Sequence, residues 1–186
     1  MAAVNLFPYS TVNSAGWTII GAAPTIHAAL AANTGLISGA ETTQETRYIE
    51  IELDDLSGTG LNIGTITSIQ ARMEADIDER SQTSVLTCDY RDSSGSVINS
   101  YTEDISISTT GTNTAYVWTL RTTSDGSAAW TITDIDDMRL RFTLSTDSSS
   151  GNTEVFFIYL LVQYTERPKS LTINSPLTIN GKLTIK

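Results

Sequence analysis

Two adjacent stretches restrict the fold of this chain more than any other feature: Trp130 to Phe142, WTITDIDDMRLRF, and Glu154 to Tyr164, EVFFIYLLVQY. From Met138 onward the apolar residues Met138, Leu140, Phe142 and Leu144 occupy every second position, alternating with Arg139, Arg141 and Thr143. That is the period of a strand with one face in a core and the other in water. In the second stretch Val155, Phe157, Tyr159 and Leu161 interleave with Phe156, Ile158, Leu160 and Val162. A strand apolar on both sides is expected at the centre of a sheet and covered on both faces. The run from Val155 to Val162 is too short to cross a bilayer as a helix, and its β-branched and aromatic content suits a buried strand.

Other segments repeat this signature. RYIEIEL, Arg47 to Leu53, sets Ile49, Ile51 and Leu53 on one face and Glu50 and Glu52 on the other. Ile69, Ala71, Met73 and Ala75 alternate with Gln70, Arg72, Glu74 and Asp76, and Ser84 to Tyr90 reads as the next strand. DSSG, Asp92 to Gly95, is a turn signal leading into a strand near Val97 to Tyr101, which predicts a hairpin. Ile105 with Ile107, and then Tyr116, Trp118 and Leu120, supply two further short strands, and TSDGS, residues 123 to 127, the next turn. Within TITDIDD, Thr133 followed by acids predicts a short helical turn running into the Met138 strand.

The first 46 residues are less patterned. Pro8, Gly16, Gly21, Pro24, Gly35 and Gly39 interrupt them, so they read as a strand around Trp17 to Ile20 followed by a loop-rich passage. The only histidine, His27, sits in PTIHAALAAN, which fits one or two helical turns and a strand equally well. Roughly eight to ten short strands with Gly, Ser, Thr, Asn and Asp turns predict an all-β fold, an antiparallel two-sheet sandwich of jelly-roll type. A chain of 186 residues with 40% hydrophobic composition is sized for one main core. Residues 1–166 form that body.

Residues 167–186 differ. LTINSP, LTINGK and LTIK repeat at a spacing of six and bring Leu171, Leu177 and Leu183, and Ile173, Ile179 and Ile185, into register. Each unit is a very short strand with one apolar face that it cannot bury alone, so it must pack on the body, join the sheet of another subunit or associate with copies of itself, the intersubunit options being favoured. Charge divides the chain at the same place. Residues 1–166 carry seven Arg, no Lys and all 21 acids, 7 − 21 = −14, whereas Arg167, Lys169, Lys182 and Lys186 give the remainder +4. An acidic body repels phosphate backbones and argues against nucleic acid as a partner. The basic arm is expected to meet an acidic surface and to act between subunits, through Lys169, Lys182 and Lys186 and its six Leu and Ile residues.

Little in the sequence points to catalysis. One histidine and one cysteine, with no nucleophile elbow, phosphate loop or H-E-x-x-H, leave little for nucleophilic or metal chemistry, and no cofactor is expected. Asp76, Asp78 and Glu79 of DIDER are paired carboxylates of the kind glycosidases use, although such groups at a strand end more often face solvent. Asp134, Asp136 and Asp137, or Asp76 with Asp78, offer oxygens for calcium without the spacing of a known calcium loop. Cys88 alternates with Leu86 and Tyr90 and reads as a small buried hydrophobe. Trp17, Trp118 and Trp130 raise sugar stacking, but the last two lie in strand patterns where packing is the default. The opening MAAVNLFPYSTV has neither a basic region nor a continuous apolar one, so no secretory signal is expected, and no segment spans a membrane.

Gly16 to Thr18 (GWT), the Ala-rich passage after it, RYIEIEL, and W-T-x-x-D-I-D-x-M-R-L-R-F ahead of a final aromatic-aliphatic strand together resemble a recurrent β-sandwich of structural proteins in tailed bacteriophages. The C-terminal units resemble the short L-T-I-N-G repeats of phage fibre proteins. The resemblance spans about residues 5 to 165 and implies a virion component assembled in the host cytoplasm. The expected role is a capsid decoration, or cement, protein that binds the major capsid protein and itself as a trimer or dimer. The alternative is a carbohydrate-binding receptor module of a tail fibre or baseplate. An exposed Trp or Tyr in a groove favours the alternative; aromatics wholly inside the core count against it.

Overall fold

A computed structural model describes residues 1–32, 35–40, 47–77, 84–108, 114–124, 126–146 and 152–168. Its strands are β1 (Ala2–Leu6), β2 (Pro8–Ala15), β3 (Thr18–Gly21), β4 (Gly35–Ala40), β5 (Arg47–Leu53), β6 (Ile63–Ile77), β7 (Ser84–Arg91), β8 (Val97–Ile107), β9 (Thr114–Val117), β10 (Arg139–Thr146) and β11 (Asn152–Glu166). Two short helices, α1 (Ile26–Ala32) and α2 (Ile132–Asp136), interrupt them. They form two antiparallel sheets. One has six strands in the order β3-β4-β11-β6-β9, with β1 also on β11, and the other is β2-β5-β10-β7-β8. The expected two-sheet sandwich is therefore the fold.

β11 is central, as its two apolar faces require. It pairs with β6 along one side from Thr153 to Glu166, and on the other with β4 at its beginning and β1 at its end. Val155, Ile158, Leu160 and Val162 point inward and are fully buried against Ile69, Ala71, Met73 and Ala75 of β6 and the apolar rows of β5, β7 and β10. α1 contacts β2 of one sheet and β4 and β11 of the other, so it bridges the sheets, with Ala29 and Leu30 wholly buried.

The outward faces of the two sheets contrast. On the five-stranded sheet Arg139 pairs with Glu52 at 2.9 Å and lies 3.7 Å from Glu50, Arg141 pairs with Glu50, and the Arg141 guanidinium sits 4.4 Å over the ring of Tyr48. Charge covers that face. On the six-stranded sheet Phe7, Phe157 and Tyr159 form a trio with ring centroids 5.4 to 6.2 Å apart, and Leu161 lies on the same row. All four are half-buried and lie outside the core cluster. Phe7, from the β1–β2 connection, packs on Phe157 and Tyr159, so the outer row of β11 is covered in part.

Several local readings are also corrected. The supposedly loop-rich start holds β1, β2, β3, α1 and β4, and the ambiguous run around His27 is helical. Val97 to Tyr101 and Ile105 with Ile107 belong to a single strand, β8, in which the four residues between Val97 and Thr102 lie opposite the single residue between Arg91 and Asp89. Asn99 and Ser100 absorb this at φ of 46° and 54°, in the left-handed region. Trp118 and Leu120 lie beyond β9, and the main-chain pair Ile69 to Arg121 closes that edge instead. The cap of α2 is Thr131 and not Thr133: its hydroxyl accepts the Asp134 N–H at 3.1 Å while the Asp134 carboxylate accepts the Thr131 N–H at 2.8 Å. No helix among the described residues is long and apolar enough to cross a membrane.

Candidate functional site

The three tryptophans are in the core, with exposures of 7% for Trp17, 1% for Trp118 and 3% for Trp130. The indole N–H of Trp118 donates to the Glu103 carbonyl at 3.0 Å and that of Trp130 to the Arg121 carbonyl at 3.1 Å. Surface stacking by tryptophan is thereby removed. The exposed aromatic is Tyr9, 69% accessible on β2, a residue whose PYSTV context carries no periodic signal.

Tyr9 stands at one end of the sandwich, where five separate segments converge. A cleft of about 180 Å³ is lined by Tyr9, Glu52, Leu53, Asp55, Ser93, Asp136, Asp137 and Arg139. A second cavity of about 310 Å³ is lined by Asp92, Ser93, Ile98, Ser124, Trp130, Asp134 and Asp137. Ser93 and Asp137 belong to both, so the two form one groove. Its wall is local chemistry. The Asp92 carboxylate accepts from Ser94 N–H and Ser96 N–H at 2.9 Å and from the Ser94 hydroxyl at 2.6 Å, building the DSSG turn that presents Ser93. These hydrogen bonds, that of the Ser94 hydroxyl first, hold Asp92 below the usual carboxylate range.

Asp134 and Asp136 also have structural duties. Asp134 completes the α2 cap, and Asp136 Oδ1 accepts the N–H groups of Leu56 at 2.6 Å and Ser57 at 3.2 Å, tying α2 to the loop after β5. The carboxylates of Asp55 and Asp137 are exposed and make no hydrogen bond among the described residues. Arg139 is held by Glu52, whose own carboxyl lies below its ordinary range chiefly through the Ser10 hydroxyl bond at 2.6 Å. The groove thus has an apolar floor of Trp130 and Ile98, one free aromatic ring and unengaged oxygen acceptors, and its charge is strongly negative.

The other candidates separate. Among the described residues no group of three or more His, Cys, Asp or Glu could hold a metal ion, so the Asp134, Asp136 and Asp137 set is not brought together as calcium ligands. Asp76 is 4% exposed within β6, not at a solvent-facing strand end, and Asp78 and Glu79 lie outside the described residues. The His27 ring lies between the hydroxyls of Thr11 at 3.3 Å and Thr25 at 3.1 Å, a packed position beside an open cleft along β2. Cys88 is fully buried and free, as its alternation predicts. The arm residues Lys169, Leu171, Ile173, Leu177, Ile179, Lys182, Leu183, Ile185 and Lys186 lie outside the described residues.

The chain matches no family model and no curated protein. It is similar in structure to an arabinose-bound GH51 α-L-arabinofuranosidase, with a TM-score of 0.44 and 13% identity over 85% of this chain. The CBM36-1 domain of a multidomain xylanase from the hindgut metagenome of Trinervitermes trinervoides gives 0.44 and 6% over 89% of this chain and all of that domain. Tailspike protein 4 of bacteriophage CBA120 gives 0.39 and 10% over 78% of this chain. The chain spans 26% of the arabinofuranosidase and 19% of the tailspike. The likeness is one of sandwich architecture.

Proposed function

We propose that the protein is a non-catalytic recognition module that binds neutral carbohydrate in the groove beside Tyr9, as part of a tail-type component of a virion. The observation that carries this reading is the pairing of a 69% exposed tyrosine with unengaged carboxylates in one groove. A sugar ring has an apolar C–H face and a rim of hydroxyls. Tyr9 offers a surface for the first, while Asp55, Asp137 and Ser93 accept from the second. The cavity against Trp130 has the lower-range volume of small-ligand sites. Charge narrows the ligand class. With Asp55, Asp92, Asp134, Asp136, Asp137 and Glu52 around Arg139, the groove repels phosphates, sulfates and uronates and admits neutral saccharides. The virion setting is drawn from the sequence resemblance.

A panel of neutral and acidic oligosaccharides titrated into the full chain tests this. Neutral sugars are expected to bind. Tyr9→Ala and Asp137→Asn should each weaken binding at least tenfold, about 1.4 kcal/mol, without moving the melting transition. Failure of every neutral glycan, or an unchanged affinity in Tyr9→Ala, would sink the reading.

A further inference from the structure

The geometry points to a second saccharide subsite in the cleft along β2, so that the ligand is an extended neutral oligosaccharide running from the Tyr9 groove onto this strand and not a single sugar. The inference rests on the reading of that groove as a neutral-sugar site. The cleft encloses about 520 Å³, a volume within the range of small-ligand sites. It lies between β2 and the start of α1 and is lined by the hydroxyl, amide and imidazole groups of Ser10, Thr11, Asn13, Ser14, Thr25 and His27, with no acidic or basic side chain besides that imidazole. A chain of sugar hydroxyls finds donors and acceptors there, whereas a phosphate, sulfate or uronate finds no Lys or Arg to pair with.

Three observations carry this. The first is continuity. Tyr9 lines the groove, and the next residue, Ser10, lines the cleft, where its hydroxyl donates to the groove residue Glu52 at 2.6 Å. From Tyr9 to Ser14 the strand covers about 17 Å, longer than one pyranose ring. The second is what the lining leaves unused. Asn13 donates an amide N–H to the Tyr48 hydroxyl at 2.7 Å and keeps its side-chain carbonyl as an acceptor. The Ser14 hydroxyl makes no hydrogen bond among the described residues, and Val12, 41% exposed, offers an apolar surface to a C–H face. The third excludes a peptide strand as the occupant. β2 is an edge of the five-stranded sheet, yet its pairing with β5 shifts register between Pro8 and Ser10 and again between Thr11 and Asn13. α1 packs along it, and the His27 main-chain N–H donates to the Thr11 hydroxyl at 3.1 Å. An edge bent by bulges and covered by a helix is closed to strand addition, whereas a ligand held through its hydroxyls needs only the side chains that line the cleft.

Calorimetric titration of the full chain with cello-, xylo- and manno-oligosaccharides, each as disaccharide and as hexasaccharide, tests the inference. In a series that binds, the hexasaccharide should bind about tenfold tighter than the disaccharide, the worth of one or two added hydrogen bonds. Val12→Arg fills the cleft from an exposed position between the two register partners Thr11 and Asn13. It should bring the hexasaccharide down to the affinity of the disaccharide and leave the disaccharide unchanged. Asn13→Ala should weaken the hexasaccharide alone, and both variants should melt with the native chain. Equal affinity for the two lengths, or hexasaccharide binding undiminished in both variants, overturns the second subsite; where Tyr9→Ala still weakens that binding, the groove reading stands without it. Absence of binding in every series overturns both.

Discussion

The hydroxyl oxygen of Tyr90, on β7 of the five-stranded sheet, accepts the main-chain N–H of Ala71, on β6 of the opposite sheet, at 2.8 Å. β9 stops at Val117; beyond it the Trp118 N–H donates to the Ala71 carbonyl at 3.1 Å, and the next main-chain pair with β6 is that of Arg121 and Ile69. The Ala71 N–H therefore faces a gap in its own ladder, and a side chain reaches across the core to fill it. Tyr90→Phe keeps the ring and strands that N–H in a fully buried site. The expected cost is about 1 to 3 kcal/mol, read as a lower denaturant midpoint with an unchanged slope.

Asp136 joins two loops that are distant in sequence, and its acceptor role predicts the effect of its removal. Asp136→Ala leaves the N–H groups of Leu56 and Ser57 without their shared acceptor, next to a Leu56 side chain that is 1% exposed. A loss of about 1 to 3 kcal/mol is expected. Thermal melts of the two proteins would check it, and an unchanged transition would show that the loop is held by packing alone.

Trp130 is both core and groove floor. Its ring packs 6.3 Å from that of Tyr101, which in turn lies under the Arg121 guanidinium at 4.6 Å. Trp130→Ala is expected to cost about 3 to 5 kcal/mol and to enlarge the cavity it lines. Chemical denaturation measures the first effect.

Cys88 predicts a pH dependence. Burial pushes its thiol well above the ordinary value, and Asp89 and Glu103 act in the same direction. The folded chain keeps the proton after the unfolded chain has released it, so this contribution to stability is complete below about pH 8.5 and is lost as pH rises beyond it. Iodoacetamide at pH 8 should leave the native protein unmodified and label it only in denaturant; rapid native labelling would contradict the burial.

Glu52 works at the other end of the scale. Its carboxyl lies below its ordinary range, first through the Ser10 hydroxyl and then through the bond and charge of Arg139. Its contribution is present above about pH 4.5 and falls away as pH drops through the lowered folded value. With the Glu52 side chain 40% exposed, the effect should stay below about 1 kcal/mol. Comparing Glu52→Gln with the native chain at pH 7 and pH 3 tests it: the difference should shrink at the lower pH.

How much of this was readable in the sequence follows from what periodicity records. RYIEIEL became β5 with its isoleucines wholly buried, and the two-faced run of β11 became the centre of a sheet. β1 and β3 have too few residues for a period to emerge, and β2, PYSTVNSA, is too polar to show one. Nor can alternation say what an apolar face meets: the outer row of Phe157, Tyr159 and Leu161 is covered in part by Phe7, from the β1–β2 connection. The groove was hidden for another reason. Tyr9, Asp55, Ser93, Trp130 and Asp137 come from distant segments that only the topology brings together, and Tyr9 itself is an isolated aromatic in a polar strand.

The place of β11 also bears on how the chain comes to fold. In β1 Ala2 pairs with Tyr164, and in β4 Ile37 pairs with Val155, so the first strands made find their partner only after nearly the whole body has been synthesised. Such separations mean high contact order and slow closure. Until β11 emerges, the apolar rows of β1, β4 and β6 have no central strand, and the nascent chain depends on dilution or chaperones to avoid pairing with its neighbours.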